Sequence, residues 1–243
     1  MKIEKEDRIM ILGSCFASNI GSRLEESGYN VCLNPFGTIF NPASIANSVE
    51  RLETGKHFTD SDCIEMGAGA GKICSFFHHT SFARIEKAEF LENANRKLDE
   101  ESVFWREFNK VLVTFGTSQV WKWKDGRIVS NCLKRPGYEF THEMLSLEEI
   151  EVYIERIRSQ GKEFLFTVSP IRHLGEGAHV NTVSKSLLQV AISRTGADYF
   201  PASEIMMDEL RDYSWYAEDN IHPSTDAIER IWSKFYDNIC KLK

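Results

Sequence analysis

The chain has 243 residues, 42% of them hydrophobic and 27% charged, with a formal net charge of -7. That length is enough for one large α/β domain with its own core, and the composition is ordinary for a globular protein in water. The acidic balance, with no basic stripe to offset it, argues against a nucleic-acid partner, and no apolar run is long enough to cross a bilayer.

Met1 to Arg8 are charged and lead directly into the first strand, with no export signal, so a cytoplasmic location is expected. The cysteines Cys15, Cys32, Cys63, Cys74, Cys132 and Cys240 form no CxxC pair and no zinc-like spacing with histidine. They read as reduced thiols, and neither a metal nor a cofactor is implied.

The apolar run Ile9–Leu12 predicts a strand buried on both faces, ended by Gly13. Phe16, Ile20 and Leu24 recur at helical spacing, so a helix begins almost at once, with Ser14 in position to cap it. Cys15 is then the first helical residue, where the positive end of the helix dipole favours a thiolate and free N–H groups can hold an anion. Ser27-Gly28 stops this helix, and Tyr29–Leu33 reads as a second strand. Two Asn-Pro pairs make residues 34–42 irregular, and Pro42 suits the first turn of a helix reaching Leu52.

An irregular insertion is expected over about 55–108 in a single domain spanning 1–243. Gly67–Lys72 lacks phosphate-loop spacing and reads as a hairpin turn. His78 and His79 are adjacent, so on a strand they would point to opposite faces, which disfavours a metal pair. A helical segment follows from Lys87 to Asn109, with a break near Asp99–Glu101. Val111–Phe115 is the next buried strand, and Gln119–Val129 suggests a hairpin. Ser146–Glu149 is a capping box whose helix buries Leu147, Ile150, Ile154 and Ile157 and ends at Gly161. After the strand Phe164–Val168 come a helix bounded by Val183 and Arg194, a short strand at 198–200, a helix from Ser203 and a final helix from Pro223-Ser224. The alternation predicts a three-layer αβα sandwich around a mainly parallel five-stranded sheet.

Ligands of such sheets bind beyond the carboxyl ends of the strands, which gathers the loops 13–15, 34–38, 116–118 and 169–173. Asp219 and His222 stand three apart in a loop held open by Pro223. That spacing lets the carboxylate accept from Nδ1 and leaves Nε2 outward as a base.

Gly13-Ser14-Cys15-Phe16-Ala17 is the namesake motif of the GSCFA domain family, placed in the SGNH/GDSL hydrolase superfamily, and the chain resembles that family over nearly its whole length. Asn34–Gly37, Thr114–Thr117, Asn131-Cys132, Phe166–His173 and Glu204–Leu210 look like further family blocks. The resemblance implies an SGNH/flavodoxin-like fold, with Cys15 in the position of the nucleophilic serine, His222 as base and Asp219 as its orienter. Gly37 falls where the superfamily offers an oxyanion N–H, and Gly116-Thr117-Ser118 departs from its Gly-x-Asn block by placing Ser118 at the amide. Arg172 and His173 at the strand edge could hold a carboxylate or sugar hydroxyl, and His79 fits a family histidine that lines the pocket.

The expected activity is ester hydrolysis through an acyl-enzyme on Cys15, or on Ser14, acting on a small-molecule or carbohydrate ester. The alternatives are an acyltransferase onto a glycan or small acceptor and a non-catalytic ligand-binding protein. The sequence does not indicate an oligomeric state.

Overall fold

In the computed structural model, which describes residues 1–158 and 161–241, the elements follow the chain as β1 (Arg8–Gly13), α1 (Cys15–Glu26), β2 (Asn30–Leu33), α2 (Pro42–Thr54), β3 (Ile64–Glu65), β4 (Ile73–Cys74) and α3 (Lys87–Glu107). Next come β5 (Lys110–Phe115), β6 (Gln119–Trp123), β7 (Ile128–Val129), β8 (Phe140–Met144), α4 (Leu147–Arg158) and β9 (Glu163–Val168). The chain closes with α5 (Ala178–Arg194), β10 (Asp198–Phe200), α6 (Ala202–Glu204) and α7 (Thr225–Phe235).

The apolar runs become one five-stranded sheet in the order β10-β9-β5-β1-β2, with every neighbour parallel. Successive side chains of each strand point to opposite faces. Met10, Leu12, Val111, Val113 and Phe166 therefore pack under α2, α3, α4 and α5. Ile9, Ile11, Leu112 and Leu165 pack under α1 and α7 on the other side. This is the predicted three-layer sandwich. Its strand order reverses direction between β1 and β5, and in open sheets of this kind ligands sit at that reversal.

The local signals act as expected at most element ends. Asn41 Oδ1 accepts from Ser44 N–H at 2.8 Å with Pro42 in the first turn of α2. Ser146 and Glu149 form the reciprocal capping box of α4. Gly67–Lys72 is the turn between the antiparallel strands β3 and β4.

Four expectations need correction. The helix α3 runs unbroken through Asp99–Glu101, because Leu98, Glu101, Ser102 and Trp105 keep one buried face in phase. Residues 76–82 form no strand: His78 is fully buried among Phe36, Phe58, Phe82 and Phe90, while His79 is exposed at the start of a short 3-10 turn. The strand β8, unforeseen, pairs with β6 to make a three-stranded side sheet with β7. The helix expected from Ser203 is a single α-turn continued by a π-turn over Ile205–Glu209.

Near the two ends of the chain, Ile3 N–H donates to Ile239 O at 2.9 Å. Among the described residues no helix is long and apolar enough to cross a membrane.

Candidate functional site

At the sheet reversal, β1 ends on Gly13 with φ at +145°, and a Cβ there would lie 2.2 Å from Thr114 O of β5. Only glycine lets the chain leave the strand so close to its neighbour. Asn34 on the β2 loop steadies the turn by accepting from Gly13 N–H at 2.8 Å. Cys15 then opens α1, and its side chain is exposed. The N–H groups of Cys15 and Phe16, in the first turn, have no acceptor inside the helix and none among the described residues.

Ser14 does not behave as the sequence suggests. It occupies the N-cap position, but its hydroxyl makes no capping bond, is sealed from solvent and has no partner among the described residues. The residue is only 1% exposed, which leaves Cys15 as the accessible side chain of the pair.

The base loop is closed on itself. Asp219 Oδ1 accepts from the backbone N–H of Ile221 at 2.8 Å and of His222 at 2.9 Å, and Asn220 turns through a left-handed φ of 54°. Asp219 Oδ2 lies 2.6 Å from His222 Nδ1. A carboxylate only accepts, so Nδ1 carries a proton, and in the neutral ring Nε2 presents its lone pair, with no partner among the described residues. The backbone N–H of His222, followed by its ring, holds the Asp219 carboxyl down at about 2.

Arg172 binds this loop to the end of β9: its backbone N–H donates to Ile221 O at 3.1 Å and Nη1 to Asn220 O at 2.8 Å. Its guanidinium lies over the rings of Tyr213 and Tyr216. Ile221 packs in the cluster that holds Phe16 and Ile171, which brings the base loop to the side of the sheet where α1 begins. Cys15 Sγ and His222 Nε2 share no hydrogen bond. Catalytic contacts of this kind commonly tighten only when substrate binds.

The expected oxyanion donors are occupied. Gly37 N–H donates to Asn34 O at 2.7 Å, closing a turn whose φ of +83° and contact with His79 Cβ require glycine. Gly116 and Thr117 both donate their N–H to Phe40 O, at 2.7 and 3.1 Å. Ser118 is fully buried, its hydroxyl and N–H both turned to Ser184 of α5 at 3.0 and 2.8 Å, so it does not replace the missing amide. His79 stacks its Cβ over Gly37 and ties Nδ1 to Ser81, which makes it a prop for the β2 loop.

His173 sits over Gly116, held by Asn181 Oδ1 accepting its backbone N–H at 2.8 Å. Burial, then the charges of Lys185 and His222, push its ring down to about 4, so it is neutral at neutral pH.

Sequence reasoning missed Lys185. Buried on α5, it donates from Nζ to Gly116 O at 3.1 Å and to Ser169 O at 2.7 Å, joining the loops after β5 and β9. Burial pushes its amine down to about 7. Its signal was a lysine at position i on the helix face that buries Leu188 and Ile192.

Two cavities flank Asn181. One, of ≈ 340 Å³, is lined by Phe40, Thr117 and His173 and walled by Trp121 and His142 of the side sheet. Those two rings stack at 4.0 Å, and His142 also pairs with Glu176. The other, of ≈ 420 Å³, is lined by Arg172 and Lys185. A further cavity of ≈ 350 Å³ lies by Asn47, Arg127 and Tyr153 and holds none of these groups. Among the described residues no cluster of His, Cys, Asp and Glu could hold a metal.

The chain matches the GSCFA family over residues 8–235. No curated protein matches it. Among solved structures, the psychrotrophic esterase EstA from Pseudoalteromonas sp., in a structure inhibited by monoethylphosphonate, is 11% identical, with 96% of each chain covered and a TM-score of 0.43. An α/β hydrolase enzyme from the metagenome of Lake Arreo, Spain, is 10% identical over 97% of this chain and 95% of that one, with a TM-score of 0.48. Likeness at that level carries no weight for the chemistry.

Proposed function

The chain belongs to the GSCFA family, and we propose that it is an ester hydrolase working through an acyl-enzyme on Cys15. The observation that carries this reading is the 2.6 Å Asp219–His222 bond, which fixes the imidazole with Nε2 as its free base. Cys15 stands exposed at the sheet reversal, ahead of two unpaired helix N–H groups.

In the first half-reaction His222 Nε2 takes the thiol proton and Sγ bonds to the ester carbonyl carbon. The carbonyl π pair moves onto oxygen, where the N–H groups of Cys15 and Phe16 stabilise it. The electron pair returns, the carbon–oxygen bond to the alcohol breaks, and His222 gives its proton to the departing alkoxide. Water then attacks the thioester with the same proton relay, releasing the acid and restoring the thiol.

The ≈ 340 Å³ cavity suits the alcohol half. Its stacked Trp121–His142 wall offers a flat aromatic face, and Gln119, Glu176 and Asn181 offer polar groups, a combination that fits a sugar hydroxyl ester. All six cysteines are free, in keeping with a reducing compartment such as the cytoplasm.

The test is turnover of p-nitrophenyl acetate with mass spectrometry of the quenched enzyme. Acetyl mass on the Cys15 peptide, lost in Cys15→Ala and retained in Ser14→Ala, supports the reading. Turnover that survives Cys15→Ala refutes it. Product forming only when a sugar acceptor is added would make the protein an acyltransferase. The sealed Ser118 favours a second reading, a ligand-binding protein without turnover, and failure of iodoacetamide to label Cys15 at neutral pH would support it.

A further inference from the structure

We propose that the ≈ 420 Å³ cavity beside Arg172 and Lys185 binds the distal carboxylate of the acyl group, so that the preferred substrates are esters of short dicarboxylic acids. The substrate class rests on the acyl-enzyme reading above.

Three observations carry it. A lysine ammonium has three N–H donors, and Lys185 places two of them, on Gly116 O and Ser169 O. The third has no acceptor among the described residues, and no carboxylate pairs with the amine. Arg172, lining the same cavity, donates Nη1 to Asn220 O and likewise pairs with no carboxylate, leaving the rest of its fork open. A buried cation without a counter-charge is costly, and an entering carboxylate would supply what both groups lack. Burial already draws the Lys185 amine down to about 7, so an anion beside it would draw a proton back on.

Two carboxylates, Glu204 and Asp208, line the same cavity and oppose an entering anion. Glu204 accepts from Tyr199 Oη at 2.8 Å and from Gln189 Nε2 at 3.0 Å, which occupies its oxygens. Asp208 is exposed at the rim and opposes an anion there. His173 lies beyond Asn181, neutral, and His222 stands across the loop that Arg172 clamps. Pro170, Leu174 and Ala178 give the same cavity an apolar wall for methylene groups. Arg172 lines the cavity and also clamps the Asp219–His222 loop through Asn220 O and Ile221 O, so one residue joins the two.

The experiment compares p-nitrophenyl hemisuccinate with p-nitrophenyl butyrate, its neutral counterpart. We expect kcat/KM to favour the hemisuccinate roughly 10- to 100-fold, as charge-assisted hydrogen bonds allow. The ratio should fall toward one in Lys185→Met and in Arg172→Met and rise in Asp208→Asn, with thermal melts showing which variants fold. A wild-type ratio at or below one, or a ratio that neither folded cation variant lowers, overturns the proposal.

Calorimetry of succinate on the wild-type protein reads the cavity without turnover. Binding near neutral pH with net proton uptake, judged from two buffers of different ionisation heat, supports it, and no binding overturns it. Failure of Cys15 to acylate while succinate still binds would refute the acyl-enzyme reading and leave the anion site standing.

Discussion

Replacing Lys185 by methionine should change how stability depends on pH. The amine is buried, with its ordinary value of 10.5 drawn down to about 7. Between those values the unfolded chain holds a proton that the folded one releases, so unfolding is favoured at the low end and stability climbs as pH rises through the window. At about 1.36 kcal/mol per unit, the climb from about pH 7 to about pH 8.5 comes to roughly 1.5–2 kcal/mol, somewhat less than the full slope because the folded amine is still half-protonated at the start.

The buried thiols Cys32, Cys74 and Cys240, raised by burial, pull the other way at higher pH, but they are common to both proteins and cancel in the comparison. Lys185→Met also leaves Gly116 O and Ser169 O without their donor, which lowers its stability at every pH by an amount on the order of 1–3 kcal/mol per carbonyl. The assay is urea unfolding of both proteins across the window. The stability of the wild type relative to the variant should grow by the stated amount with m unchanged. Curves that stay parallel from end to end would show that the amine does not change its charge there, and the argument from burial would fail.

Other outcomes follow from the same geometry. Asp219→Asn leaves Nδ1 without its acceptor and frees the ring to take the wrong tautomer, so kcat for p-nitrophenyl acetate should fall roughly 10²- to 10⁴-fold. Gly13→Ala places a methyl group 2.2 Å from Thr114 O at a φ of +145°, and should cost more than about 3 kcal/mol by urea unfolding. Trp121→Ala removes half of the stacked wall, and should raise KM for an acetylated monosaccharide roughly tenfold with little change in kcat. An unchanged KM there would remove the alcohol half from this cavity.

What was legible in the sequence was what neighbouring residues decide among themselves. The strand–Gly13–Cys15–helix turn, the Asp219–His222 loop and the apolar runs of the central sheet rest on contacts within a few residues, and their pattern shows in the chain. The short β8 has mixed character, and its pairing with β6 is decided by tertiary contact. The roles that moved were those with distant partners. Ser118 answers to Ser184 on α5, and Arg172 to Asn220 near the end of the chain. Gly37 is the local exception, its N–H taken by Asn34 O within the same turn. Lys185 escaped notice because a lysine on a helix reads as solvated until the helix is docked.

The backbone bond from Ile3 to Ile239 also has a consequence for how the protein comes into being. On the ribosome the proposed thiol, on α1, emerges well before the imidazole that would activate it, just ahead of α7. Until α7 is released and docks, a nascent chain carries an unassisted sulfhydryl, protected from mischief only by its ordinary reactivity. A chain lacking the Asp219–His222 loop would stay in that dormant condition.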